Sequence, residues 1–280
     1  MAACLYLCAT PIGNLKDITL RCLETLKSVD VILAEDTRQT RKLLSHYEIH
    51  TPLQSLHAHN EQFRIDAILE RLAQGQTIAL VSDAGLPLIS DPGAELVQAV
   101  QQAGYSLTCL PGASAPVTAL LLSGIAPLPF SFIGFLPRQS KARKEQITLW
   151  QTRLETLILF EAPHRLLETL KDLLAVLGNR EASVCRELTK LYEQVHRGSL
   201  EQQIDYFTQQ APRGEMTLVI AGASESELPE KAEIKYDELQ QEHTALMQQG
   251  LSKKEILKAL QNRYGLSRNE IYARLNVTHE

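Results

Sequence analysis

Side chains able to do chemistry gather in this chain at the ends of apolar runs. Residues 78–81 (IALV) lead into Ser82-Asp83-Ala84-Gly85 and then Asp91-Pro92-Gly93, and residues 4–9 (CLYLCA) end in Thr10-Pro11-Ile12-Gly13-Asn14. Residues 29–33 end in Ala34-Glu35-Asp36-Thr37-Arg38, with Arg41 and Lys42 a turn further on. Residues 107–110 stop at the small-residue turn Pro111-Gly112-Ala113-Ser114-Ala115-Pro116. Further along, residues 156–160 (TLILF) end in Glu161-Ala162-Pro163-His164-Arg165, and residues 182–185 in Arg186-Glu187-Leu188-Thr189-Lys190. Carboxylates, small residues and cations in these places are poor core material. They suit loops that hold a polar ligand, because Asp accepts hydrogen bonds and Gly lets backbone groups approach closely. A solvated helix start explains Glu35-Asp36 beside three cations equally well, and a surface His with an acid-paired Arg explains His164 and Arg165. The G-x-G-x-x-G fingerprint and the P-loop are both missing. His57-Ala58-His59 would put two imidazoles on one face of a strand, but no third metal ligand stands at a recognisable spacing, so no metal site is assigned.

The elements that position these loops follow from periodicity. Short apolar runs read as strands buried on both faces of a parallel sheet. Helices alternate with them: Thr19 is placed to cap a helix with Leu20, Leu23 and Leu26, and Ile65, Ile68, Leu69 and Leu72 make a helical face closed by Gly75. Leu96, Val97 and Val100 mark another helix ending at Gly104. Alternating strand and helix predicts a doubly wound α/β domain over residues 1–116, with ligands outside the carboxyl ends of its strands. Residues 117–129, ending in two prolines, read as a linker to a second α/β domain over 130–223. That domain opens with residues 131–136 and the cations Arg138, Lys141, Arg143 and Lys144, which form either a solvated helix face or a phosphate-backbone contact. Pro163 suits the first turn of a helix carrying Leu166, Leu170, Leu173, Leu174 and Leu177, and residues 215–221 close the domain as a strand. An acidic linker over 224–233 precedes a helical extension, 234–280. There Gly250-Leu251-Ser252-Lys253-Lys254-Glu255 is echoed by Gly265-Leu266-Ser267-Arg268-Asn269-Glu270, two S-x-x-E capping boxes in a helix-turn-helix-like arrangement.

A chain of 280 residues with 44% hydrophobic content can bury one large core or two smaller ones. No apolar stretch approaches the ~20 residues that span a bilayer, so a soluble, cytoplasmic protein without membrane contact is expected. Five scattered cysteines (Cys4, Cys8, Cys22, Cys109, Cys185) suggest reduced core thiols. A net charge of −5 argues against blanket affinity for nucleic acid, so any such contact must come from local basic patches.

Taken in order, TPIGNL-x-D-IT, AEDTR-x-T, H-x-HNE, ALVSDAG-x-PLISDPG, LPGASA, GFLPR, FEAPHRL and RELTK-x-YE closely resemble the 16S ribosomal RNA cytidine 2′-O-methyltransferases of the tetrapyrrole (corrin/porphyrin) methylase superfamily. The resemblance covers roughly residues 4–222, and the terminal helices resemble that family's small extension. It implies two α/β domains with S-adenosyl-L-methionine between them, a homodimer, and 16S rRNA or the small ribosomal subunit as substrate. Carried over by position, the cofactor would meet Pro11, Ile12, Gly13, Asp83, Leu86, Ser114 and Ala115, and from the second domain Phe160 and Met216. Leu86 departs from the family's usual Thr, which removes a hydroxyl from the loop. The base candidates are Glu35, Asp36, His164 and Glu187, and the RNA-contact candidates are Arg38, Arg138, Lys141, Arg143, Lys144 and Arg165. Two other readings compete: a methyltransferase acting on a small tetrapyrrole, and a non-enzymatic nucleic-acid-binding protein using the helical tail.

Overall fold

The computed structural model describes residues 3–57, 61–224, 236–264 and 268–275. The chain forms two compact units, Met1–Ala223 and Ser224–Glu280. In the first unit, β1 (Cys4–Cys8), β2 (Val31–Ala34), β3 (Leu53–Ser55), β4 (Thr77–Val81) and β5 (Ser106–Leu110) make a parallel sheet in the order β3-β2-β4-β1-β5. Helices α1 (Leu20–Ser28), α2 (Thr37–His46), α3 (Glu61–Ala73) and α4 (Ala94–Gln102) cover both faces. In β4, Ile78 and Leu80 pack with Ile68, Leu72, Leu96 and Val100 of α3 and α4. Ala79 and Val81 pack on the other face with Cys22, Leu26 and Leu44 of α1 and α2. A strand covered on both sides must be apolar at every position, which accounts for the IALV run.

Thr19 caps α1 by accepting from the Cys22 N–H (3.2 Å). α4 takes its cap from elsewhere in the chain. Glu61, at the start of α3 and only 7% exposed, accepts from the Gly93 N–H (3.1 Å) and the Leu96 N–H (2.9 Å). A buried carboxylate at a helix N-terminus satisfies otherwise orphaned donors and complements the helix dipole. The last residue of H-x-HNE therefore anchors the loop after β4. Of the H-x-H, His57 lies beyond the end of β3 at Ser55, and Ala58, His59 and Asn60 lie outside the described residues.

α5 (Ala115–Ser123) corrects the expected linker, whose residues 117–123 complete this helix. Its run of Ala and Leu has little amphipathic contrast, and packing decides its state. Ala119 and Leu120 bury against Ile158, Cys185 and Val219 of the second sheet, while Val117 and Leu121 stay exposed. That sheet comprises β6 (Phe130–Phe135), β7 (Thr156–Glu161), β8 (Glu181–Arg186), β9 (Gln194–Ser199) and β10 (Met216–Ile220), in the order β6-β7-β10-β8-β9. Only β6 and β7 are parallel. Its other face is covered by α6 (Ser140–Thr148), α7 (Leu166–Leu177) and α8 (Leu200–Gln209), through Ile147, Leu166, Leu170, Leu173 and Phe207. Cys4, Cys8, Cys22 and Cys185 are buried free thiols; Cys109, expected in the core, is exposed on the edge strand β5.

The second unit packs α9 (Tyr236–Gln248), α10 (Lys253–Tyr264) and α11 (Arg268–Leu275) around Leu239, Ile256, Leu260 and Ile271. Ser252 and Glu255 form the expected capping box, with Glu255 N–H to Ser252 Oγ at 3.4 Å and Ser252 N–H to Glu255 Oε2 at 2.9 Å. Ser267 of the second box, and the expected acidic linker beyond Ser224, lie outside the described residues. Among the described residues no helix is long and apolar enough to cross a membrane.

Candidate active site

Three strand ends of the parallel sheet are stitched together. Thr10 and Gly85 exchange backbone hydrogen bonds (2.9 and 3.0 Å), and Thr10 Oγ1 donates to the Ser82 carbonyl (3.0 Å). Ser82 Oγ accepts from the Ala84 N–H (3.1 Å) and donates to the Gly85 carbonyl (3.2 Å). Gly85 sits at φ +83°, a conformation that suits glycine. Asp83 Oδ1 accepts the Asp36 N–H (3.1 Å) and so ties in the end of β2.

Facing these loops, the ends of the second sheet supply Phe135, Phe160, Glu161, Leu188 and Met216, and the two sides enclose a cleft of about 400 Å³. Phe160 packs edge-on against Phe132 (ring centroids 4.9 Å apart) and tilted against Phe135 (5.5 Å). Glu187, at φ +51°, accepts the Glu215 N–H (3.0 Å) and the Lys190 ammonium (3.0 Å), which also reaches Glu215 Oε2 (3.0 Å). Gly214 is needed twice over: it has φ +78°, and a Cβ there would stand 2.5 Å from Glu187 Oε1.

The cleft is electrostatically acidic. Asp83 and Asp91 line it, and Glu35 lies close enough to feel both. Desolvation pushes all three carboxyls above their ordinary values; mutual repulsion adds to this, against Asp36 and Ser82 donors that pull Asp83 and Asp91 back. Asp36 goes the other way, down to about 2, because the Arg38 side chain and N–H both donate to it. Glu187 is lowered by the Glu215 N–H and by Lys190, against its desolvation. Such an arrangement favours a cationic ligand over a neutral or anionic one.

Of the expected cofactor residues, Ile12, Asp83, Ala115, Phe160 and Met216 line the cleft. Pro11 and Gly13 line an adjoining recess, together with Ile12 and Asp83. Leu86 and Ser114 line neither cavity; Ser114 adjoins Ala115, which does, and Leu86 lies two residues beyond Ala84. His164 is exposed outside the cleft wall, beside Pro163 within it. Sequence reasoning placed Asp91 and Glu161 in polar stretches after apolar runs without giving either a role, and it passed over Glu215, which stands just before β10.

Two of the expected RNA contacts are structural. Arg143 is 1% exposed: Nε and Nη2 each lie 2.7 Å from Asp172 Oδ2, and Nη1 donates to the Arg138 carbonyl (3.2 Å). Arg165 is half-buried, with Nη2 donating to the carbonyls of Leu136 (2.8 Å) and Pro137 (3.1 Å) and Nε 3.3 Å from Glu161 Oε1. Both guanidiniums clamp the turn after β6, a demand for donors that local sequence does not display. Arg138 and Lys141 are exposed, Lys144 keeps 47% of its side chain exposed beside Asp172, and Arg38 is exposed and chelates Asp36.

A parallel α/β sheet whose looped ends face a second, mixed sheet across one acidic cleft defines a known class. The chain belongs to the tetrapyrrole (corrin/porphyrin) methylases, whose family model matches residues 4–203. It is 45% identical over 280 residues to ribosomal RNA small subunit methyltransferase I of Halalkalibacterium halodurans, covering 99% of this chain and 94% of the relative. To the protein of the same name from Bacillus subtilis it is 47% identical over 269 residues, covering 96% of this chain and 92% of the relative. The crystal structure of diphthine synthase matches with a TM-score of 0.61 over 78% of this chain and 90% of that chain, at 15% identity, a likeness of fold alone.

Proposed function

We propose that this chain transfers a methyl group from S-adenosylmethionine to small-subunit ribosomal RNA, the acceptor being the ribose 2′-hydroxyl of a cytidine in 16S rRNA. Identity of 45% and 47% over nearly the whole chain, to relatives named ribosomal RNA small subunit methyltransferase I, supports the ribosomal RNA substrate, and the motif resemblance supports the cytidine 2′-hydroxyl as acceptor. The cleft fits the cofactor. Its volume of about 400 Å³ lies in the range of small-molecule sites, its walls of Ile12, Phe160 and Met216 suit an adenine ring, and Asp83 and Asp91 suit a ligand with cationic sulfur. When bound, that group supplies a methyl on a sulfonium, with a neutral thioether as leaving group.

The chain's own residues then bind, orient and hold the proton. A carboxylate with pKa ~4 is far too weak a base to ionise an alcohol beforehand, so the proton leaves only as the new bond forms and positioning outweighs basicity. Asp36 and Glu187 are the poorest acceptors, since Arg38 and Lys190 stabilise their charged forms. Glu35 is raised by its burial, and Asp83 keeps Oδ2 free of the Asp36 N–H held by Oδ1. The homodimer belongs to the same proposal, with the exposed Val117 and Leu121 of α5 as apolar surface for a partner copy. A cytoplasmic location follows from a ribosomal substrate. Tritiated methyl transfer to undermethylated small subunits, followed by nucleoside analysis, tests the reading; 2′-O-methylcytidine is expected, and label on a base or no label overturns it.

A further inference from the structure

Beside the cleft lies a recess of about 460 Å³ that shares Ile12, Asp83, Ala84 and Glu215 with it as a common wall. Its remaining lining mixes the apolar Leu15 and Leu43 with Gly13 and the polar Gln39, Thr40, Lys42 and Lys190. Two features of it are not explained by the fold. Thr40, in α2, is 4% exposed, and its buried Oγ1 has no hydrogen-bond partner among the described residues. A helical Thr commonly donates to the carbonyl four residues back. Thr25 does so to Arg21 (2.8 Å) and Thr148 to Lys144 (2.8 Å). For Thr40 that carbonyl is Asp36, which accepts the Thr40 N–H at 3.1 Å, yet the hydroxyl does not use it. Leaving a buried hydroxyl unpaired is costly and asks for a partner the protein itself does not supply.

The second feature is Gly13. A Cβ there would stand 2.8 Å from the Leu188 carbonyl oxygen and collide with the Lys190 stem. Its absence lets Lys190 lie across the β1 loop, where Glu187 and Glu215 hold the ammonium, each at 3.0 Å, at the edge of the recess. Lys42 stands on α2 with Nζ donating to Gln39 Oε1 (2.9 Å).

We propose that this recess is the acceptor subsite, taking one ribonucleotide of an RNA chain, with Thr40 Oγ1 donating to its sugar or phosphate and Lys42 facing the phosphate charge. The assignment rests on the methyltransferase reading and adds to it which cavity receives the ribose. Ligands on the two sides of the Asp83–Ala84 wall meet there, as transfer between them requires.

Thr40→Val and Thr40→Ser test it in the full-length chain. Thr40→Val keeps the volume and removes the hydroxyl. Its melting temperature should match or exceed that of the unaltered protein, its calorimetric affinity for S-adenosylmethionine should be unchanged, and its KM for undermethylated small subunits should rise about 3- to 10-fold, the worth of one hydrogen bond. Thr40→Ser, which keeps the hydroxyl, should stay within about twofold of the unaltered KM. An unchanged KM in Thr40→Val, or a loss of cofactor affinity, overturns the subsite while leaving the methyltransferase reading intact. Failure of the unaltered protein to methylate subunits overturns that reading, and the subsite with it.

Discussion

Arg143→Met separates a structural cation from an RNA contact. Met keeps the length of the stem and much of its packing but strips Asp172 of its two closest donors, at 2.7 Å. Breaking one side of a buried pair costs about 3–5 kcal/mol, because the other charge is left desolvated. Here the lower half of that range applies, since Ser140 Oγ (2.9 Å) and Lys144 Nζ (3.3 Å) remain beside Asp172. At roughly 2–4 °C per kcal/mol for a unit of this size, about 3–4 kcal/mol becomes a fall of about 6–16 °C in melting temperature. The pH dependence has a fixed sign. Burial raises the Asp172 carboxyl, but Arg143, Ser140 and Lys144 together outweigh it and hold the group below its ordinary value. The pair therefore stabilises above pH ~4 and loses that contribution as pH falls through the depressed value, so the variant should differ most from the parent at neutral pH. Scanning calorimetry at several pH values, with RNA binding measured against salt, is the assay. The salt slope of the folded variant should not change, whereas replacing Arg138 and Lys141 should lower it by roughly 0.7–0.9 per lost phosphate contact. A melting temperature within about 2 °C of the parent, equivalent to about 1 kcal/mol or less, or a slope that falls with Arg143, refutes the structural assignment.

Asp83→Asn keeps an oxygen for the Asp36 N–H and removes the charge, so S-adenosylmethionine affinity should fall roughly 3- to 10-fold while S-adenosylhomocysteine, neutral at sulfur, is unaffected; equal losses for both would show that Asp83 acts through loop shape. Because Glu35, Asp83 and Asp91 titrate above ordinary carboxylates, a cationic ligand should release protons on binding and bind more tightly as pH rises from ~4 upward. Calorimetry in buffers of different ionisation enthalpy reads this directly, and proton uptake would contradict it. A chain ending at Ala223 should keep cofactor affinity and lose transfer to ribosomal subunits, if the basic α10 and α11 dock substrate; loss of cofactor affinity, or a monomer by light scattering, would assign the helices to the site or the dimer instead.

What the sequence alone determined is local in origin. A strand covered on both faces must be apolar throughout, so the runs at 78–81 and 156–160 announced β4 and β7 and put their polar loops at the right ends. Periodic leucines and the Thr19 and Ser252 caps gave the helices α1, α7 and α10 in the same way, because capping and amphipathic spacing act within a turn or two. Tertiary structure decided whatever depends on a partner far along the chain. Glu61 caps a helix some thirty residues ahead, and Arg143 is buried because Asp172 lies opposite. β9, with the polar sequence QVHRGS, carries no apolar alternation and exists through its antiparallel pairing with β8. Residues 117–123 resemble a linker until the second sheet supplies a surface for Ala119 and Leu120 to bury against. A residue type states what a side chain can do, but its burial, its charge state and its partner are set by which other segment the fold brings against it. Hence Arg143 and Lys141, two residues apart in one basic run, ended with opposite roles, one inside the protein and one in water.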